Sequence, residues 1–183
     1  MSGSAKANIA VAVTEGASAV KVSGRANVTV SVPFREVVEE LRQRTHAPLY
    51  VFLASCLVMD STFLGVLALQ GENFHRESEG GNHRIVLVAP SERVMDLIDN
   101  LGVLDSFEVL ESEPDLGFEF KEVEPGSPCR VAEITRTSLE AHETLIELNE
   151  DNRRRFASVT KLLREELKKD DGDDETANDQ KRD

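Results

Sequence analysis

Three oxygen-bearing side chains follow one another in the segment "CLVMDSTFLGVLALQG", residues 56–71: Asp60, Ser61 and Thr62. An apolar stretch precedes them and apolar residues at helical spacing follow them, so the pattern predicts a strand that leads into a helix. Asp60 is suited to be the N-cap of that helix, with its carboxylate accepting a backbone N–H two or three residues on. Ser61 would then be the first helical residue, with an outward hydroxyl near free N–H groups that favour an anion.

Two interpretations of this segment stay open on local sequence alone. In the first, Asp60 and Ser61 only cap a helix. In the second, Ser61 is a phosphorylation site, since a phosphate there would change the surface charge by about −1.5 to −2 while the fold tolerates it. Thr62 is a second candidate acceptor, which lies deeper in the helix.

Catalysis by the same residues is disfavoured. A serine hydrolase of the Gly-x-Ser-x-Gly type is excluded because Ser61 lies in "MDSTF". A phosphorylated Asp60, as in a receiver domain, would need an acid pair after the first strand and a lysine after the last. The chain has Thr14-Glu15-Gly16 and "ESE" at those places. We therefore expect no enzyme and no catalytic residues.

A second cluster of chemically active residues surrounds "RESEGGN". His75 and His83 flank it, but their spacing matches no standard set of metal ligands. Gly80-Gly81 lacks the Lys-Ser/Thr of a phosphate-binding P-loop. A solvated loop is the favoured interpretation, and we expect neither a metal nor a cofactor.

The elements around these residues predict an α/β domain. Strands are predicted over 8–14, 19–23, 49–54, 84–88 and 107–110. Helices are predicted to open at Ser31 with Pro33 in the first turn, to run from Ser61 to near Gly71, and to run from a cap at Ser91 to Gly102. This order predicts a largely parallel sheet that begins with an antiparallel hairpin and is packed by helices.

The C-terminal third of the chain has a different composition. Residues 112–134 contain three prolines and many acids and are predicted to be a linker, and 135–169 form a long helical pattern. Residues 170–183 carry a net charge of −5 and no apolar residue larger than alanine, so we expect a disordered acidic tail.

The helical pattern is too long for a straight helix on a domain of this size, because 34 residues would span about 50 Å. It must therefore break around Asn149–Asn152, overhang, or pair with another chain. Its charges are segregated, with acids in the first half and bases in the second. This pattern fits either packing on the domain with dipole complementarity or an antiparallel helical pair, including a possible homodimer through the C-terminal helix.

The overall charge limits the partners. The chain has a formal net charge of −13, of which the tail accounts for −5 and residues 1–169 for −8. Nucleic-acid binding is disfavoured, since phosphate contacts need a basic surface. The apolar run in residues 1–13 is too short for a signal peptide, so we expect a cytoplasmic protein without membrane insertion, and Cys56 and Cys129 as free thiols.

The segments "MDSTFLGVL" and "RIVLVAPSERVMDLIDNLGVLDSFEV" resemble the STAS domain of bacterial anti-sigma-factor antagonists. In that family an Asp-Ser-(Ser/Thr)-Gly-Leu-Gly step precedes the second helix. "VKVSGRANVTVSVPFREVVEEL" is similar to the family's second strand, turn and first helix. The similarity covers about residues 8–111, so a STAS domain is predicted over 1–111. The chain departs from the family at Phe63, where glycine is usual, and at Phe52, where an acid is usual.

This resemblance implies regulation by partner switching. The unphosphorylated domain would bind an anti-sigma factor that is also a serine kinase and so free the sigma factor. The kinase would phosphorylate Ser61, with Thr62 as second choice, and a phosphatase would reset the switch. Asp60, Thr62, Phe63 and Leu64 would form the helix cap and the partner-binding surface.

The alternative within the same family is an accessory or scaffold subunit of another system, such as a lipid-transport ATPase or a stress-signalling assembly. Accessory forms tend to lose the phosphoacceptor, so the presence of Ser61 favours the switch.

Overall fold

The computed structural model describes residues 7–44, 47–78, 83–124 and 128–179, with side chains described as far as Lys169. The strands are Asn8–Val13 (β1), Ser18–Ala26 (β2), Leu49–Phe52 (β3), Cys56–Met59 (β4), Ile85–Val88 (β5), Glu108–Leu110 (β6) and Lys121–Glu122 (β7). The helices are Val28–Arg44 (α1), Ser61–Arg76 (α2), Glu92–Leu101 (α3), Val131–Leu148 (α4) and Asn152–Asp179 (α5), with a short 3₁₀ helix at Leu104–Ser106.

One sheet contains all seven strands, in the order β6-β5-β3-β2-β1-β7, and β4 also pairs with β2. β1 and β2 form an antiparallel hairpin, whereas β2–β3, β3–β5 and β5–β6 are parallel. The expected mixed, largely parallel α/β fold with an initial antiparallel hairpin is therefore confirmed. The main core lies between the sheet and α1, α2 and α3, whose apolar faces are buried against it.

The apolar run predicted as one strand over 49–54 is followed by a second strand, β4. β3 pairs with the first part of β2, and β4 pairs in parallel with its last residues, Ala26 lying opposite Met59. A turn at 53–55 joins the two strands. Because β2 and β4 run side by side in the same direction, the helices that follow them, α1 and α2, begin at the same edge of the sheet.

Two helix boundaries differ from the prediction. α1 begins at Val28, ahead of the predicted start at Ser31, because the backbone N–H of Val28 finds an acceptor in Asp60. α2 continues past Gly71 to Arg76. Gly71 allows this part of α2 to lie against the 3₁₀ helix, since a Cβ at this position would be 2.7 Å from the carbonyl oxygen of Ser106.

The segment predicted as a linker over 112–134 takes part in the fold. β7 pairs with β1, with Ala10 opposite Glu122 and Val11 opposite Lys121. The aromatic side chains at 118 and 120 cover the sheet face opposite the main core. The ring of Phe52 packs edge-on against Phe118 and Phe120, with centroids 5.8 Å and 5.2 Å apart.

The C-terminal helices form an antiparallel pair within the chain, which we call the α4–α5 hairpin (α4, the turn at 149–151, and α5). α4 packs on α1 and α2, and α5 packs on α4. Of the three alternatives for this helical pattern, the structure shows the break around Asn149–Asn152, and Arg164 on α5 pairs with Glu143 on α4 at 2.5 Å. At this ion pair an acidic residue of α4 faces a basic residue of α5 inside one chain, and a homodimer through this helix stays a prediction.

The backbone is helical to Asp179, within the segment predicted as a disordered tail, and the disorder of that tail stays a prediction. The rest of the predicted tail, 180–183, lies outside the described residues. Within the described ranges, none of the helices combines the length and the apolar character that crossing a membrane requires.

Candidate functional site

Asp60 caps two helices at once. Its Oδ1 accepts the backbone N–H of Phe63 in α2 at 2.8 Å, and its Oδ2 accepts the backbone N–H of Val28 in α1 at 3.1 Å. The parallel pairing of β2 and β4 places both helix N-termini at this carboxylate, and the backbone N–H of Asp60 donates to the carbonyl of Ala26 at 2.9 Å. One negative charge thus stabilises the positive ends of two helix dipoles.

Ser61 is the first residue of α2, and its hydroxyl contacts α4. Its Oγ lies 3.1 Å from Nε2 of His142. The other ring nitrogen, Nδ1, lies 2.8 Å from the carbonyl oxygen of Ser138, which can only accept a hydrogen bond, so Nδ1 carries the ring proton. Nε2 of the neutral ring is then an acceptor, and Ser61 donates its hydroxyl proton to it.

The surroundings of His142 keep the imidazole neutral. The residue is 5% exposed, and its ring packs against Phe156 of α5 with centroids 4.7 Å apart. Burial lowers the pKa of His142, and this effect outweighs the hydrogen bond to the Ser138 carbonyl and the charge of Asp60, which raise it. His142 therefore joins α2, α4 and α5 at one point.

Three of the residues predicted for the partner-binding surface are buried in this structure: Thr62, Phe63 and Leu64. The Thr62 hydroxyl lies 3.3 Å from that of Ser138, so α4 covers it. Phe63 stacks on Phe34 of α1, with ring centroids 4.6 Å apart, and belongs to the core. In this arrangement α4 and α1 pack over the start of α2, so these three side chains form no exposed surface, and their part in partner binding stays a prediction.

His142 is the site residue that sequence analysis missed. The helical pattern predicted over 135–169 contains Ser138, His142 and Leu145, which follow one another at spacings of four and three residues. Ser138 and His142 lie on the buried face of α4, together with Ala141. A histidine and a serine continuing an apolar stripe are the signal that this face meets polar groups on another element.

The histidines around the solvated loop do not join the site. His75 is exposed on α2, and the ring of His83 packs on Phe74 with centroids 4.2 Å apart. Gly80-Gly81 lies outside the described residues. Within the part of the chain that is described, no group of three or more His, Cys, Asp or Glu side chains could hold a metal ion.

The buried imidazole predicts a pH dependence of stability. The pKa of His142 in the folded chain is below its ordinary value of about 6.5, so the unfolded chain takes up the proton first as pH falls. The contribution of the neutral ring to the free energy of unfolding is thus complete above about pH 6.5 and declines below it. Denaturant unfolding at pH 7.5 and at pH 5.5 should show a lower stability at pH 5.5.

The matched variants for this measurement are His142→Gln and His75→Gln. His142→Gln should reduce the difference between the two pH values, because an amide does not titrate. His75→Gln removes an exposed histidine of the same chemistry and should leave the difference as it is. An unchanged difference in His142→Gln would assign the pH dependence to other groups.

Comparison with known proteins defines the fold further. No family model and no curated protein matches this sequence. An anti-sigma factor antagonist from Mycobacterium paratuberculosis has a similar structure, with a TM-score of 0.51 and 19% identity over 61% of this chain and 92% of that chain. The anti-sigma factor antagonist SpoIIAA in its unphosphorylated form gives a TM-score of 0.47 and 14% identity, over 56% of this chain and 87% of that chain. The chain has the STAS fold, with Ser61 at the start of the helix that follows β4.

Proposed function

We propose that this chain is an anti-sigma-factor antagonist that acts by partner switching. The unphosphorylated form binds an anti-sigma factor with serine-kinase activity, phosphorylation of Ser61 releases it, and a phosphatase restores the first state. The observation that carries this proposal is the place of Ser61 on a STAS fold: it is the first residue of α2, directly after a carboxylate that caps two helices.

The geometry supports a switch by charge. Asp60 already takes up the backbone N–H groups of Phe63 and Val28, so the fold does not need the Ser61 hydroxyl as a cap. A dianion on Ser61 would stand beside the Asp60 carboxylate and would have to be desolvated when a partner docks. That penalty can break a complex without unfolding the domain.

Phosphate mapping and partner capture test this proposal together. The protein and its Ser61→Ala and Ser61→Asp variants are used as baits in extracts of the cells of origin, with ATP present. We expect Ser61→Ala to retain a serine kinase that also binds a sigma factor. Ser61→Asp should retain about tenfold less of this kinase, because docking would bury a second carboxylate beside Asp60. Burying that charge should weaken the binding free energy by at least about 1.4 kcal/mol. Mass spectrometry should find phosphate on Ser61 of the unmodified chain.

Ser91→Ala is the matched control, because Ser91 is also at the start of a helix and caps α3 through the N–H of Val94 at 3.4 Å. This variant should retain as much kinase as the unmodified chain. Phosphate on Thr62 would contradict the assigned acceptor. Retention of transporter subunits in place of a kinase would favour the accessory subunit of a lipid-transport system.

A further inference from the structure

We propose that the α4–α5 hairpin is a displaceable cover over Ser61, which must move before a kinase or a partner can reach this residue. The inference rests on the proposed function, because it concerns access to the phosphorylation site. The arrangement seen in the structure is the closed form, in which α4 lies across the first half of α2.

In the closed form the Ser61 hydroxyl is already engaged. Its proton is donated to Nε2 of His142, and the oxygen lies 3.1 Å from a side chain that is 5% exposed. A kinase must bring its phosphoryl donor in line with this oxygen and must accept its proton. Ser61 itself is half-buried, and the imidazole occupies one side of its hydroxyl and holds its proton, so we expect phosphoryl transfer to be faster once α4 has moved away.

The buried face of α4 is mostly polar, as expected of a helix that can separate from its neighbour. Of its seven buried side chains, five are polar and two are apolar: Thr135, Thr137, Ser138, His142 and Thr144, with Ala141 and Leu145. By contrast, the shorter α3 buries Val94, Ile98 and Leu101. Hydroxyl and imidazole groups regain hydrogen bonds from water when they are exposed, whereas large apolar side chains lose their burial. When α4 leaves the domain, one large apolar side chain, Leu145, loses full burial in the core, whereas three would lose it if α3 left.

A close approach at Gly65 offers a direct way to displace the cover. A Cβ on Gly65 would clash with the carbonyl oxygen of Ala141 and would lie 2.8 Å from its Cβ. Gly65→Ala therefore pushes α4 away from α2 one turn beyond Ser61. Gly71→Ala is the matched control on the same helix, because its Cβ would be 2.7 Å from the Ser106 carbonyl oxygen and so presses on the 3₁₀ helix, away from α4.

The first test measures access to position 61 without any kinase. Ser61→Cys is introduced alone, with Gly65→Ala and with Gly71→Ala, and alkylation by N-ethylmaleimide is followed by peptide mass spectrometry, which counts Cys56 and Cys129 separately. We expect Gly65→Ala to raise the alkylation rate at position 61 about tenfold or more, since overpacking destabilises the closed form alone. Gly71→Ala should change it by less than about twofold. Equal rates in all three proteins would overturn the cover.

The second test uses the unmodified chain and so does not depend on how the variants fold. If the hairpin opens while the sheet stays folded, amide hydrogens of α4 exchange about 100-fold faster than those of β5, whose four residues are buried. Exchange of α4 and β5 at the same rate would show that the hairpin opens only in global unfolding, and would overturn the proposal.

The third test asks whether displacement of the α4–α5 hairpin speeds the phosphorylation of Ser61. In an extract of the cells of origin with ATP, phosphate should enter Ser61 about fivefold or more faster in Gly65→Ala than in the unmodified chain or Gly71→Ala. No phosphate on Ser61 in any protein would overturn the switch, and the cover is then judged by alkylation and exchange. Equal phosphorylation in all three proteins would overturn the cover and leave the switch in place.

Discussion

Asp60→Ala is expected to lower the free energy of unfolding by about 1–4 kcal/mol, twice the loss of an ordinary cap, because a single cap contributes about 0.5–2 kcal/mol. The change removes acceptors from the N–H of Phe63 in α2 and of Val28 in α1. It also removes a negative charge from the positive ends of both helices. Denaturant unfolding of the variant and the unmodified chain measures this loss, with the same dependence of free energy on denaturant concentration (m-value) used for both proteins.

Two further variants separate the double cap from a single one. Ser91→Ala removes one cap, that of α3, and should lower the free energy of unfolding by about 0.5–2 kcal/mol. Asp60→Asn keeps one acceptor oxygen and replaces the other with an NH₂ donor. It should therefore lower the free energy of unfolding, but by less than Asp60→Ala does. If Asp60→Ala lowers stability no more than Ser91→Ala does, the second cap contributes nothing.

The second large effect is expected at Asn152, the first residue of α5. This side chain is 0% exposed, and its Nδ2 donates to the carbonyl of Leu101 at 2.9 Å and to that of Leu145 at 2.7 Å. Both carbonyls lie at helix C-termini, in the last residue of α3 and the last turn of α4. Asn152→Asp keeps the shape but brings a carboxylate against two carbonyl oxygens at negative dipole ends.

We expect Asn152→Asp to lower the free energy of unfolding by about 3–5 kcal/mol at pH 7, since it buries a charge without a partner. Burial should raise the pKa of the new carboxyl above its unfolded value of about 3.9. The loss is then complete above the raised pKa and shrinks as pH falls through it, because the protonated carboxyl can donate to one carbonyl.

Asn100→Asp is the matched control for this variant, because it makes the same chemical change on the exposed side of α3. Its effect should stay within about 0.5 kcal/mol. Thermal or denaturant unfolding of both variants across pH 4 to 8 provides the comparison. Equal losses in the two variants would mean that the hydrogen bonds from Asn152 to Leu101 of α3 and to Leu145 of α4 do not contribute to stability.

The anchoring at Asn152 and the cover over Ser61 belong to the same hairpin but are chemically different. At the turn, the buried side-chain amide of Asn152 holds the hairpin to α3 through a hydrogen bond to the Leu101 carbonyl. The Arg155 guanidinium adds a hydrogen bond to the Asn100 carbonyl at 2.8 Å. Toward Ser61, the buried face of α4 is rich in hydroxyl groups.

Local signals in the sequence determined most of the elements and the first half of the site. Ser91 caps α3 and Gly102 ends it in a left-handed conformation with φ of 64°, as the predicted start and stop require. Asp60 and Ser61 were placed at the start of a helix from apolar periodicity and cap chemistry alone. Such predictions succeed because a cap and the periodicity of one element depend on residues within a few positions of each other.

Tertiary structure decided the features that join distant parts of the chain. The start of α1 depends on a carboxylate 32 residues away, and the Ser61 hydroxyl contacts a histidine 81 residues away. The separate strand β4 is defined by its pairing with β2, which an unbroken apolar run does not reveal. Local patterns carry no information about which elements become neighbours, because that depends on sheet order and helix packing. The packing of α4 on α2 therefore decided that the Ser61 hydroxyl lies against His142.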